Sequence, residues 1–304
     1  MKNPYYDLNT YFKNIFGHRV HKISIDAGMS CPNRDGRLST SGCIYCNQTG
    51  SGTGFSQKGL SVTDQLQNAE AYVRKRFKAK KFIAYFQSFT NTYAPLDHLK
   101  HLYDEALAVE DVVGLSIGTR PDCVDGDILN LLQGYAEKYL VWIEYGLQSA
   151  HDRTLALINR GHDFKAFQMA VEATQNRGIH ICVHVILGLP GESGAQMMET
   201  ARILSRMGID GLKLHLLYII KGTEMEKQYR EGTYACLTLP EYADLACEFL
   251  AYMPKNVVIQ RLTSDPHPGE LVAPLWALQK SEIRSLIRQT FDTRGLYQGK
   301  WFQP

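Results

Sequence analysis

A chain of 304 residues, 44% hydrophobic and 21% charged, has globular composition and enough length for a sizeable core, which excludes native disorder. Its formal charge of +2 does not mark a nucleic-acid binder, because phosphate binding follows local basic patches rather than the total. No apolar run reaches the roughly 18 residues of a membrane span, and "MKNPYYDLNTYFKNIFG" lacks the apolar stretch of a signal peptide, so a cytoplasmic protein with no membrane partner is expected.

The first strand-like run is "HKISIDAG", 21 to 28, and it leads straight into "CPNRDGRLSTSGCIYCN", 31 to 47, which holds Cys31, Cys43 and Cys46. The glycine-rich "GSGTG", 50 to 54, follows this loop rather than a strand and reads as a turn, not as a phosphate cradle. From there amphipathic periods near 63–78, 96–109, 125–135, 164–177 and 194–207 alternate with apolar runs at 82–87, 112–119, 140–147, 180–187 and 212–218. Alternation of this kind predicts six βα units and a parallel sheet. Past about residue 239 the rhythm changes to a helix near 239–252, a strand at 256–262 and a helix at 274–290, with no linker before them. One basic run, "RKRFKAKK" at 74 to 81, puts six cations among eight residues at a helix end. It reads either as a solvated helix terminus or as a surface that brings RNA phosphates to the mouth of the sheet.

An open doubly wound sheet and a full or partial barrel both fit this pattern. Residues two apart on a strand share a face, so Glu144, Gly146 and Gln148 oppose Val141, Ile143, Tyr145 and Leu147. Likewise Cys182 and His184 oppose Val183 and Val185, and Lys213 and His215 oppose Leu212 and Leu214. A parallel sheet covered on both sides should be apolar on both faces, so one polar face per strand favours a barrel with a polar lumen. In either architecture the chemistry belongs at the C-terminal ends of the strands, where the cysteine loop, "TRPD", "LQS" and "GLPGE" all fall.

Seven cysteines in a chain without an export signal argue for reduced thiols rather than a disulfide framework. The spacing C-x11-C-x2-C marks Cys31, Cys43 and Cys46 as metal or iron-sulfur ligands. Structural zinc would need a fourth ligand from afar, such as His18 or His21, whereas three thiolates on an iron-sulfur cube leave one iron open. Cys123, Cys182, Cys236 and Cys247 lack ligand spacing and read as core or surface thiols.

With these cysteines, the motifs "YFQSFTNTYAP", "GTRPDC", "WIEYGLQS", "INRGHD", "HVILGLPGE" and "LKLHLLYIIKGT" make the chain resemble the radical S-adenosylmethionine (SAM) superfamily over nearly its whole length. Within it, the resemblance is to the bacterial group related to the catalytic subunit of Elongator, where long first cysteine gaps also occur. It implies a partial (β/α)6 TIM-type barrel over residues 1–238, with a cluster loop at 29–47 and an α/β extension at 239–304. It also implies a 4Fe-4S cluster on Cys31, Cys43 and Cys46, with SAM chelated by the open iron and cleaved reductively to methionine and a 5'-deoxyadenosyl radical. By the same resemblance Tyr45 would pack beside the adenine, and Gly188 and Leu189 would bring backbone close to it. Arg160 would pair with the SAM carboxylate, and Glu144 and Gln148 would accept from the ribose or the amine. Gln87 stands where an acidic "GGE"-like motif is common elsewhere, at the position facing the SAM amine. The implied partners are an RNA substrate, a tRNA base, and an electron donor such as flavodoxin or ferredoxin. A non-catalytic iron-sulfur protein that binds RNA or senses redox state, and a structural zinc protein, are the competing readings.

Overall fold

The structure, a computed structural model, describes residues 3–47, 50 and 59–303. A first helix, α1 (Leu8–Phe16), is followed by β1 (Val20–Ile25), α2 (Val62–Phe77), β2 (Lys81–Phe86), α3 (Leu96–Leu107), β3 (Val112–Thr119) and α4 (Gly126–Ala136). Next come β4 (Leu140–Gln148), α5 (Asp152–Leu157), α6 (Phe164–Thr174), β5 (His180–Leu187), α7 (Gly194–Ser205) and β6 (Gly211–Leu216). The remainder forms β7 (Ile219–Ile220), α8 (Glu224–Arg230), α9 (Leu239–Tyr252), β8 (Val258–Arg261), β9 (Leu271–Ala273) and α10 (Lys280–Thr293). Seven parallel strands, ordered β1-β2-β3-β4-β5-β6-β8, form a curled half-barrel, and β7 pairs antiparallel with β9 beside it. The partial barrel expected from the polar strand faces is the observed fold.

Local chemistry fixes the helix starts. Ser61 with Asp64, Ser193 with Gln196 and Thr238 with Glu241 form reciprocal capping boxes at α2, α7 and α9, each satisfying N–H groups that the first turn leaves open. The outward residues of the strands, among them Ile25, Ile117, Ile143, Tyr145, Val183 and Leu214, are buried against the helices in the main core. Inward residues behave differently at the two ends of the lumen. At its floor Ile83, Trp142, Cys182 and Val258 pack with Tyr11 and Phe12 of α1, which plugs the N-terminal ends of the strands. The ring of Tyr11 meets Trp142 edge-on at 5.4 Å between centroids. Gly211 is required here, since a Cβ would stand 2.7 Å from Cζ3 of Trp142.

The segment after residue 239 enters the sheet itself, through β8 beside β6. Among the described residues β1 and β8, the two outer strands, share no ladder. Instead Lys22 Nζ donates to Gln260 Oε1 at 2.6 Å, and Asp7 bridges to Ile259.

The basic run lies elsewhere than expected. It forms the last turn of α2 and the link into β2, so it sits at the N-terminal ends of the strands, opposite the cysteine loop. Arg74 bonds Glu70 at 2.6 Å and pairs with Asp111, to which Lys81 donates at 2.6 Å. Phe77 stacks on His21 at 4.1 Å. Lys75, Arg76, Lys78 and Lys80 remain exposed at this blunt end, and delivery of a nucleotide to the barrel mouth by this run is therefore corrected. His18 and His21 lie at the same end, away from the thiols they were considered to join. Of "GSGTG", residues 51 to 54 lie outside the described residues.

Candidate active site at the barrel mouth

The eleven residues between Cys31 and Cys43 fold as a compact loop on the C-terminal side of β1. Arg34 N and Asp35 N both donate to Cys31 O, at 2.8 and 3.1 Å, Leu38 N donates to Pro32 O at 2.8 Å, and Gly42 N donates to Asn33 O at 2.8 Å. Two asparagines clasp the loop to the chain after α5. Asn33 Nδ2 donates to Asn159 O, and Asn159 Nδ2 donates to Gly42 O, each at 2.6 Å. Ile44 is held on both sides, donating to Ile158 O at 3.1 Å and accepting from Met225 N at 3.1 Å.

Three nitrogen donors face the sulfurs: Asn33 Nδ2 stands 3.6 Å and Arg160 Nη1 3.6 Å from Cys43 Sγ, and Arg34 Nη1 3.7 Å from Cys46 Sγ. Burial pushes the Cys46 thiol up to about 11, and Cys43 adds to that, while Arg34 draws it down. Arg160 is buried, and its Nε and Nη2 donate to Gly146 O at 3.1 and 2.5 Å. Arg120 supports the same turn, donating to Arg160 O at 2.8 Å while a two-point pair with Asp122 holds its guanidinium.

The loop opens into a cavity of about 660 Å³ that descends into the lumen. It brings together Cys31, Cys43, Cys46, Tyr45, Gln87, Glu144, Gln148 and Arg160 of the residues singled out by sequence. A register shift after Gly146 and a left-handed backbone at Gln148 (φ 83°) end β4 and keep the Gln148 amide beside Gly146. A Cβ on Gly146 would lie 2.6 Å from Arg160 Nη2 and 2.8 Å from Gln148 Nε2, so glycine here makes room for both. Gln87 Oε1 accepts from Ser24 Oγ at 3.1 Å. Gly188 and Leu189 do not line this cavity. The Gly188 carbonyl accepts from Tyr234 OH at 2.7 Å, and Leu189 is buried in an apolar cluster with Leu155, Ile158 and Met225, against which Tyr45 packs.

Glu144 is placed on the lumen face as expected, but its oxygens are already engaged. Lys22 donates at 2.6 Å, His184 Nε2 stands at 2.8 Å, and Lys213 and Ser116 complete the set. Burial raises the Glu144 carboxyl, and Lys213 and Lys22 overcome that to hold it well below the usual range. Burial lowers Lys213 to about 8 against the pull of Glu144, and lowers His184 to about 4, so that histidine is neutral at pH 7. Glu144, Cys182 and His184 bring donor atoms within 4.8 Å of one another, yet two ammonium groups on the carboxylate leave no cation site there.

Residues 34–204 match the family model "Radical SAM superfamily", and residues 209–293 match "Radical_SAM C-terminal domain". This chain belongs to the radical SAM superfamily. It is 40% identical to the uncharacterized protein YtqA of Bacillus subtilis over 98% of this chain and 93% of that protein. It is 28% identical to a tRNA uridine(34) acetyltransferase of Dehalococcoides mccartyi, over 60% of this chain and 39% of that one. Among solved structures, Elp3 of the archaeon Methanocaldococcus infernus superposes with a TM-score of 0.70 at 17% identity, over 92% of this chain and 64% of that chain, a likeness of fold.

Radical SAM membership implies a 4Fe-4S cluster and SAM, and the donors present fit that pair. Three thiols, with N–H groups aimed at the sulfurs of Cys43 and Cys46, suit an anionic iron-sulfur cluster, and the cavity beside them falls within the size of small-ligand sites. Sequence reasoning passed over Asn33, Arg34, Asn159, Lys22 and Arg261. Lys22 shares a strand face with Ser24 and was findable from that period, whereas the asparagine clasp joins loops far apart in the chain and leaves no periodic signal.

Proposed function

We propose that this enzyme binds a 4Fe-4S cluster through Cys31, Cys43 and Cys46, cleaves SAM reductively, and modifies RNA, a tRNA base. The observation that carries this reading is the opening of the three thiols, with Arg160 and Gln148, into one cavity at the C-terminal ends of the strands. When bound, cluster and SAM would supply one-electron reductive cleavage of the sulfonium bond and radical abstraction of hydrogen from substrate. The chain's own part is to hold and shield. Asn33, Arg34 and Arg160 stabilise thiolate charge by N–H···S donation, Arg160 offers donors to the SAM carboxylate, and Gln148 offers an acceptor to the ribose or the amine. Tyr45, from the cluster loop, walls the adenine side. Residues 1–238 would carry this chemistry and 239–304 would extend it, with the electron drawn from a cytoplasmic donor of the flavodoxin or ferredoxin type.

The tRNA reading draws support from relatives named as tRNA uridine(34) acetyltransferases. To test it, the anaerobically reconstituted protein is assayed for iron, sulfide and zinc, then incubated with SAM, reductant and RNA from a strain lacking it. Near-stoichiometric 4Fe-4S content, 5'-deoxyadenosine and a new nucleoside are expected. Zinc without sulfide would refute the cluster, and a cluster without 5'-deoxyadenosine would leave a non-catalytic protein.

A further inference from the structure

The lumen below the mouth has more positive charge than its own residues use. Lys22 and Lys213 share Glu144, and His184 and His215 are neutral because burial lowers both. Arg261 adds a third cation. The shift in register between β6 and β8 sets it opposite Lys213, it lines the cavity, and it is only half-buried. Among the described residues its guanidinium has neither a hydrogen bond nor an ion pair. The two other carboxylates of the cavity wall are engaged elsewhere, Asp265 with Lys280 and Glu270 with Asn47 Nδ2 at 3.1 Å. His215, on the adjacent strand, lines the same cavity and carries a buried Nε2 with no partner. A guanidinium held without a counter-ion beside an orphaned imidazole nitrogen is incomplete without an acceptor of negative charge.

We propose that Arg261, with His215, binds an oxyanion, a carboxylate or a phosphate, on a small reactant that enters the lumen beside SAM. Arg261 presents a planar fork suited to two oxygens of one group, and the cationic excess of the walls draws anions inward. The site lies on β8, at the opposite edge of the half-barrel from β1, after which the cysteine loop begins. The inference rests on the radical SAM reading, since it assigns that enzyme's second reactant, and the two are tested by separate measurements.

Binding of inorganic phosphate, and separately of acetate, to the reconstituted holoprotein is measured by calorimetry with excess SAM present, so that the SAM site is filled. Saturable binding of one of them is expected, and which one binds tells phosphate from carboxylate. Arg261→Gln should weaken it about tenfold or more and Arg261→Lys should restore part, since a charge-assisted bond contributes on that scale. His215→Phe should weaken it less. Cluster absorbance and circular dichroism of each variant check the fold. Absence of saturable binding in the parent, or parent-like affinity in Arg261→Gln, would overturn the proposal, as would competition only by intact RNA. Absence of 5'-deoxyadenosine from the parent would refute the radical SAM reading while leaving the anion measurement to stand by itself.

Discussion

Replacing Glu144 by glutamine tests the lumen network at its centre. Glu144 is fully buried and its two ammonium partners, Lys213 and Lys22, are 4% and 11% exposed at their side chains. A glutamine amide fits the space but turns an NH2 donor toward one ammonium, leaving two buried cations without a counter-charge. Removing one member of a buried pair costs about 3–5 kcal/mol. For 304 residues the unfolding entropy is about 0.6 kcal/mol/K, so Glu144→Gln should lower Tm by about 5–8 °C at pH 7 in calorimetry of the apoprotein. The pH dependence adds a second check. Lys213 titrates at about 8 when folded against about 10.4 when unfolded, so between those values the unfolded chain holds more protons and this group makes stability rise with pH. Without Glu144 to hold it up, the folded value falls further and the window opens at lower pH. The deficit of Glu144→Gln should therefore narrow as pH rises toward 8 and stay level above it. A variant melting within about 1 °C of the parent at pH 7 would refute the reasoning.

Alanine at Cys31, Cys43 or Cys46 should abolish the iron-sulfur absorbance, and alanine at Cys123, Cys182, Cys236 or Cys247 should not; full cluster content in Cys43→Ala would sink the ligand assignment. Arg160→Ala and Gln148→Ala should each weaken SAM binding about tenfold or more with the cluster retained, read by equilibrium dialysis. Gly146→Ala places a methyl 2.6 Å from Arg160 Nη2 and 2.8 Å from Gln148 Nε2 and should lower SAM affinity by a similar factor. Lys75→Glu with Lys78→Glu, at the blunt end of the barrel, should leave the salt dependence of tRNA binding unchanged. A log-log slope flattened by about 0.7–0.9 per lysine would instead lay RNA across that end.

The strands were legible because most alternate an apolar outer face with an inner one that carries polar groups, and that alternation favours the curled sheet. Helix α1 was not: its residues Tyr11 and Phe12 are explained by Ile83, Trp142, Cys182 and Val258, which lie on strands far along the chain. The thiols were legible from spacing. Glu144 was placed on the correct face but its partners were not, because Lys22 and Lys213 lie on β1 and β6, and only barrel curvature brings both to β4. The β8 register shift, which sets Arg261 opposite Lys213, is likewise invisible in the alternation of "NVVIQRL". For Gly188, the left-handed turn was readable from glycine, but the hydroxyl of Tyr234 that occupies its carbonyl comes from a later loop.

The two outer strands of the half-barrel, β1 and β8, are linked by side chains rather than by a ladder. Between neighbouring strands of the sheet, widening the barrel breaks ladder hydrogen bonds, whereas among the described residues β1 and β8 share no ladder and are joined by the bond from Lys22 to Gln260, with the chain before α1 bridging to Ile259 and α1 packed beneath both strands. Mechanical compliance is thus concentrated along one edge of the lumen. Since Lys22 also holds Glu144, the side-chain link between these two strands is fastened to the charge cluster at the centre of the cavity. A ligand that drew Lys22 away from Gln260 would remove that link.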